Sequence, residues 1–258
     1  MRSACLFLIL TSALMAQRPV SLKAIRIGQF LALGDVFLNG VGPFRMAIDT
    51  GNASSLIRPS VARRLGVRVI QTVEQVTAGG VRRVPVVLLD RVTTGALTER
   101  TVEALIGDVR LDLLDGILGQ SWLVRHDYLL DYRNKRVVVD AVPPEGSLSA
   151  ALRTTDGRPM LSAKVDGESE ELILDSGAST VVLFECTGQV RRTGTLATNA
   201  DSIEAGETST RIALPGDKER KMSAVCVRSS QHAPGLLPAS AFSAVFVSNR
   251  DGVLRLTR

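Results

Sequence analysis

The sequence predicts a mainly β fold built as two similar lobes with short helices, and three observations carry that reading. Two apolar runs of strand length, Phe44-Arg45-Met46-Ala47-Ile48 and Glu171-Leu172-Ile173-Leu174, each end on an acid, a hydroxyl and a glycine: Asp49-Thr50-Gly51 and Asp175-Ser176-Gly177. The aspartates stand 175 − 49 = 126 residues apart, close to half of the 258-residue chain. Between them Val142-Pro143-Pro144-Glu145-Gly146-Ser147 breaks every regular pattern, and the features found before it return after it in the same order.

Composition narrows the function. A chain of this length can form one large domain or two small ones, each with its own core. Its 45% hydrophobic and 22% charged residues are those of a globular protein. The formal net charge of +5 is scattered over short pairs, Arg63-Arg64, Arg82-Arg83 and Arg191-Arg192, and only 4% of residues are aromatic. Reading a nucleic acid takes a basic track with aromatic residues for stacking, so no nucleic-acid partner is expected. His126 and His232 stand alone and no Cys/His cluster has metal-ligand spacing. No metal and no other cofactor is therefore expected.

Residues 1–16 read as a signal peptide. Arg2 precedes the apolar stretch Ala4-Cys5-Leu6-Phe7-Leu8-Ile9-Leu10, which continues to a cleavage residue at Ala16. A buried amino-terminal strand is the alternative. The apolar stretch, about a dozen residues, is too short for a comfortable membrane span, so none is expected once the signal is removed. The expected location is outside the cytoplasm, periplasmic or extracellular. Cys186 and Cys226 then remain, and an oxidising compartment allows a disulfide between them, two buried thiols being the alternative.

The elements follow in order. Residues 36–48 read as two strands joined tightly at Asn39-Gly40, the second ending at Asp49. Pro59-Ser60-Val61-Ala62-Arg63-Arg64-Leu65-Gly66 has proline at its start and glycine at its end, which predicts a short helix. From Val67 to Ile106 the pattern is β-rich, with breaks at Ala78-Gly79-Gly80 and Thr94-Gly95, so a hairpin with a flexible tip is followed by longer strands. Ile117-Leu118-Gly119 leads into a second short helix, and Tyr128-Leu129-Leu130-Asp131 and Arg136-Val137-Val138-Val139 form a strand pair turning at Arg133-Asn134.

After the Pro143-Pro144 break the series recurs. Val165-Asp166-Gly167 corresponds to Leu38-Asn39-Gly40, Ala205-Gly206 to Ala78-Gly79, Gly235-Leu236-Leu237-Pro238 to Gly116-Ile117-Leu118-Gly119, and Val245-Phe246-Val247 with Asn249-Arg250-Asp251-Gly252 to the closing hairpin. The chain reads as an internal duplication, with lobes at 23–143 and 147–258. At average residue usage about one chain in ten of this size carries a single such triplet by chance. Two in matched surroundings are much harder to obtain that way.

In these motifs, from about residue 30 onward, the chain resembles the aspartic peptidases, and in size and motif style their retropepsin-like branch, with two copies fused in one exported bacterial-type chain. The resemblance implies the bilobal acid-protease fold, with β-barrel-like lobes. It implies an aspartic endopeptidase in which Asp49 and Asp175 share one proton and activate a water against a peptide bond, one as base and one as acid. By the same resemblance Thr50 and Ser176 bond across the lobe interface. Ile117-Leu118-Gly119 and, in the second lobe, Leu236-Leu237 pack behind the aspartate loops. Ala78-Gly79-Gly80 forms a flap over the substrate. Gly51 and Gly177 are expected to let the backbone turn sharply and bring amide groups toward the carboxylates. The implied partner is a peptide or protein substrate, and the fused pair makes a pseudo-dimer that is complete as a monomer.

Three positions and the flap regions depart from the family pattern. Asn52 follows Gly51 where Ala or Ser is usual, and its amide can reach the carboxylate. Pro238 replaces the glycine expected after Leu236-Leu237 in the second backing loop. Neither flap region has a tyrosine, unlike the pepsin-like enzymes. Ala178 lacks a hydroxyl that would favour a charged carboxylate, which predicts hydrolysis peaking nearer neutral than strongly acid pH. The alternative function is a non-catalytic peptide- or ligand-binding protein that keeps the fold. Retention of both acids favours the enzyme, because a binding module has no use for two costly buried carboxyl groups.

Overall fold

A computed structural model describes residues 18–77, 80–184, 192–197, 202–227 and 233–258. The first half contributes β1 (Val20–Ile27), β2 (Phe30–Leu38), β3 (Val41–Ile48), β4 (Ser55–Ile57), α1 (Pro59–Leu65), β5 (Val69–Thr77), β6 (Gly80–Thr94), β7 (Leu97–Ile106), β8 (Gly116–Leu118), α2 (Gln120–Leu123), β9 (Tyr128–Asp131) and β10 (Arg136–Val139). The second contributes β11 (Leu148–Ala151), β12 (Arg153–Thr155), β13 (Arg158–Val165), β14 (Glu168–Asp175), β15 (Val181–Phe184), β16 (Arg192–Ala197), β17 (Ser202–Ala213), β18 (Arg220–Val227), β19 (Gly235–Pro238), a 3-10 turn at Ala239–Ala241, β20 (Ala244–Ser248) and β21 (Val253–Thr257). The fold is mainly β, with two sheets and short helices, as the alternating apolar pattern predicts. Among the described residues no helix is long and apolar enough to cross a membrane.

Local chemistry accounts for the turns. Asn39 and Gly40 both have positive φ, 52° and 83°, the conformation that a two-residue hairpin turn needs to match strand twist. Asp166 and Gly167 repeat it between β13 and β14. Helix α1 starts on Pro59, whose missing N–H costs nothing there, and stops at Gly66 in the left-handed conformation. It buries Val61 and Ala62 and leaves Arg63 and Arg64 in its last turn.

One pairing pattern occurs twice. In the first half β3 runs parallel to β8, β8 antiparallel to β4, and β4 parallel to β7. In the second, β14 runs parallel to β19, β19 antiparallel to β15, and β15 parallel to β18. The sheets do not divide at the midpoint of the chain, however. Thirteen strands form one sheet in the order β11-β21-β20-β9-β10-β1-β2-β3-β8-β4-β7-β6-β5, so three strands of the second half lie in the sheet of the first. The other sheet has eight strands, β12-β13-β14-β19-β15-β18-β17-β16. A single buried cluster runs through both, joining Leu33, Leu118, Trp122 and Leu130 to Leu161, Leu174, Val245 and Leu254.

Candidate active site

Each of the two aspartates stands at the end of a strand flanked on both edges. β3 lies between β2 and β8, and just beyond its last residue the Asp49 N–H donates to the Leu118 carbonyl at 3.0 Å. β14 lies between β13 and β19, with its last residue, Asp175, opposite Pro238. A strand paired on both sides has little freedom to shift, so each carboxyl group leaves the sheet at a fixed point. The two points coincide: the Asp49 carboxyl hydrogen-bonds that of Asp175, and the residues are only 2% and 8% exposed.

Such an approach needs an absence of side chains around it. A Cβ on Gly51 would stand 2.4 Å from the Asp175 Cγ, and a Cβ on Gly177 would stand 2.8 Å from an Asp49 carboxylate oxygen. Neither glycine has a left-handed backbone. The chain does turn at Thr50-Gly51 and bend at Ser176-Gly177, and both glycine N–H groups reach the carboxylates as expected; glycine is needed there for a further reason, that the opposite carboxylate occupies the space of its side chain.

Two hydroxyls lock the loops together. The Thr50 N–H donates to Ser176 Oγ at 2.9 Å and the Ser176 N–H donates to Thr50 Oγ1 at 2.9 Å. Thr50 Oγ1 in turn donates to the Leu174 carbonyl at 2.6 Å, and Ser176 Oγ to the Ile48 carbonyl at 2.8 Å. Every one of these groups is buried, so each bond also prevents an unpaired polar group.

The carboxyl groups have different surroundings. The Gly51 N–H donates to Asp49 Oδ1 at 3.0 Å and the Gly177 N–H to Asp175 Oδ1 at 2.6 Å. Asn52 adds a side-chain donor on one side only, its Nδ2 lying 2.6 Å from Asp49 Oδ2. Burial, followed by the negative charge of Asp49, pushes the Asp175 carboxyl well above the usual carboxylate range, against the backbone N–H groups of Gly177 and Ala178. Such a pair retains one proton at pH values where an isolated carboxyl group would have lost it.

β8 and β19 run beside the strands that carry the aspartates. Ile117 and Leu118 pair with Ala47 and Ile48, all four fully buried. Gly119 is required for closeness, since a Cβ there would lie 2.4 Å from the Ser54 carbonyl, and its N–H donates to Ser55 Oγ at 3.2 Å. Leu236 and Leu237 pair with Ile173 and Leu174, and β19 stays parallel to β14 through Pro238. Pro238 has no N–H, so the Gly119 bond has no counterpart in the second lobe.

The hairpin read as a flap is formed by β5 and β6, with Thr77 opposite Gly80, while Ala78 and Gly79 fall outside the described residues. Its proposed counterpart needs correction. Ala205 and Gly206 lie well inside β17, opposite Val227 and Cys226, and the β16–β17 hairpin closes earlier, at Ala197 and Ser202. Counting residues from each aspartate failed because the lobes space their strands differently: the first runs from Ile57 at the end of β4 to Val69 at the start of β5, the second over the shorter stretch from Phe184 to Arg192. Cys226 is disulfide-bonded. Cys186, its expected partner, lies outside the described residues, as does the 1–16 segment. His126 is buried with its ring nitrogens 3.0 Å from Glu99 and 3.3 Å from Asp140.

Further residues join the site without having been singled out. Buried Gln120 donates its Nε2 to the Thr50 carbonyl at 2.9 Å, and its N–H donates to the Asn52 carbonyl at 2.9 Å. Ser121 Oγ accepts the Ser55 N–H at 2.9 Å and donates to the Glu103 carbonyl at 2.8 Å. From the β1–β2 turn, Gln29 Nε2 reaches the Gly177 carbonyl at 2.6 Å. Tyr132, just after β9, is raised in pKa by burial and then by the charges of Asp175 and Asp49. Gln120-Ser121 had a signal, a polar pair between the apolar Ile117-Leu118 and Trp122-Leu123, which implies satisfied buried partners. Gln29 and Tyr132 had none, because their roles depend on distant segments meeting.

Residues 34–122 match the family model described as aspartyl protease. Curated protein sequences give no match. Among solved structures, the chain is similar to the crystal structure of a retropepsin-like aspartic protease from Rickettsia conorii, at 19% identity over 47% of this chain and 89% of that one, with a TM-score of 0.34.

Proposed function

We propose that this chain, whose residues 34–122 match the aspartyl protease family model, is an aspartic endopeptidase whose Asp49 and Asp175 act together on a peptide or protein substrate. The observation that carries this reading is the buried, hydrogen-bonded carboxyl pair held by the crossed Thr50 and Ser176 hydroxyls. With one proton between them, the pair offers a base and an acid at once. The ionised member takes a proton from a water whose oxygen attacks the scissile carbonyl carbon, while the other gives its proton to the carbonyl oxygen. Collapse of the resulting diol expels the amine, which leaves with a proton, and the pair returns to its starting state.

The repeated strand pattern supports a duplicated chain that completes its own site, which makes a monomer sufficient. The β5–β6 hairpin is suited to close over an extended substrate and exclude water. The disulfide at Cys226 supports export to a periplasmic or extracellular location, together with the signal-like residues 1–16. Incubation of the mature chain with a mixed peptide library tests the function, beside Asp49→Asn and Asp175→Asn. Cleavage by the wild type that either substitution abolishes is the expected result. Cleavage that survives both would remove the dyad from the mechanism, and peptide binding with no cleavage would favour the binding module.

A further inference from the structure

We propose that Asn52 is a positioning residue that sets the direction of the dyad, holding Asp49 as the ionised base and leaving the shared proton on Asp175 as the acid. This deepens the peptidase reading and rests on it. Most of the site is repeated in both lobes: a glycine N–H on each Oδ1 and one hydroxyl crossing in each direction. At the next position the lobes differ. Asp49 Oδ2 accepts the Asn52 carboxamide at 2.6 Å, whereas Asp175 takes backbone N–H groups, those of Gly177 and Ala178.

A carboxamide nitrogen can only donate, so it favours the acceptor that carries charge. Hydrogen bonds to an ionised oxygen are roughly twice as strong as those to a neutral one. The donor therefore lowers the energy of the arrangement with charge on Asp49 and leaves the proton to Asp175, whose raised pKa points the same way. Asn52 is itself fixed, since its carbonyl accepts the Gln120 N–H at 2.9 Å.

Other titratable and charged groups bear on the pair. Asp175 faces Asp49 as its partner, and the Tyr132 phenol stays neutral because burial and both carboxylates oppose its ionisation. Arg26 on β1 lies over the Tyr132 ring at 5.9 Å, and its charge works against the rise in the phenol's pKa. Thr50, Gly51, Gln29 and Gln120 carry no charge.

The test compares the full wild-type chain with Asn52→Ala and Asn52→Ser through the pH dependence of kcat/KM on one peptide. Its acidic limb reports ionisation of the base. Without the Asn52 donor the Asp49 carboxyl holds its proton to higher pH, so in Asn52→Ala that limb moves up by roughly 1–2 pH units, as expected for one bond to a charged group. Below the limb kcat/KM falls about tenfold per unit of that move. Asn52→Ser restores a donor and brings the limb at least half-way back. Retained hydrolysis with an unmoved limb in Asn52→Ala overturns the assignment. If the wild type cleaves no peptide at any pH, the peptidase reading fails by itself, and carbon-13 NMR titration of the Asp49 carboxyl decides the inference: an upward move in Asn52→Ala supports it, and coincident titrations overturn it.

Discussion

Among single residues, Asp175 ties stability to acidity most directly. Its folded pKa lies well above the ordinary carboxylate range, first through burial and then through the charge on Asp49. The folded chain thus binds this proton more tightly than the unfolded one. The stability it brings is complete below the unfolded value, about 3.9, and is lost as pH rises through the folded value. Asp175→Asn keeps the shape and cannot ionise. It should abolish hydrolysis yet raise the thermal midpoint at pH 7 by a few degrees, on the order of 1 kcal/mol, and the gain should vanish near pH 3. Unfolding curves at both pH values check this, and an equal gain at pH 3 would contradict it. A second position turns on space: Gly51→Ala places a methyl group 2.4 Å from the Asp175 Cγ. The carboxyl groups must part, and kcat/KM should fall by at least about 10²-fold, the scale of a misplacement of about 1 Å, with the fold retained by circular dichroism.

At the scale of elements, the loops after β3 and β14 should fail together, because each hydroxyl satisfies groups of the other loop. Ser176→Ala leaves the Thr50 N–H and the Ile48 carbonyl without their partner in a buried place. The expected cost is about 2–4 kcal/mol in urea unfolding, while Thr50→Ser keeps its hydroxyl and should cost under about 1 kcal/mol. Equal costs would mean that the crossing is not what holds the loops. These loops were legible in the sequence because they are local: an apolar run and a three-residue motif stand next to each other in the chain. The hairpin of the second lobe was misplaced for a related reason. Spacing from Asp175 carries over only if the connections match in length, and the stretch from Ile57 to Val69 is longer than that from Phe184 to Arg192. Asn52 was legible as a donor because it adjoins the motif, whereas Gln29 reaches Gly177 across 148 positions and nothing local announces it.

For the whole molecule, the decisive feature is one the sequence did not reveal: β11, β20 and β21 belong to the sheet of the first half. Strand patterns show that these segments are β but not which edge they join, since the pairing of β20 with β9 links residues more than a hundred positions apart. The consequence is mechanical. The lobes share a sheet and one buried cluster that includes Trp122 and Leu130 from the first half and Leu174, Val245 and Leu254 from the second. Neither lobe can unfold without exposing apolar surface of the other, so the chain should unfold in a single cooperative transition despite its two-lobed sequence. Calorimetry should give one peak with equal calorimetric and van't Hoff enthalpies. Amide exchange in β3 and β14 should then be limited by the same free energy of opening. A fragment ending at residue 146 would lack all three strands, expose the β9 edge and the apolar face beneath it, and should not persist as a folded monomer. Two resolved calorimetric peaks, or a stable monomeric fragment, would show instead that the shared sheet is only an attachment between independent lobes.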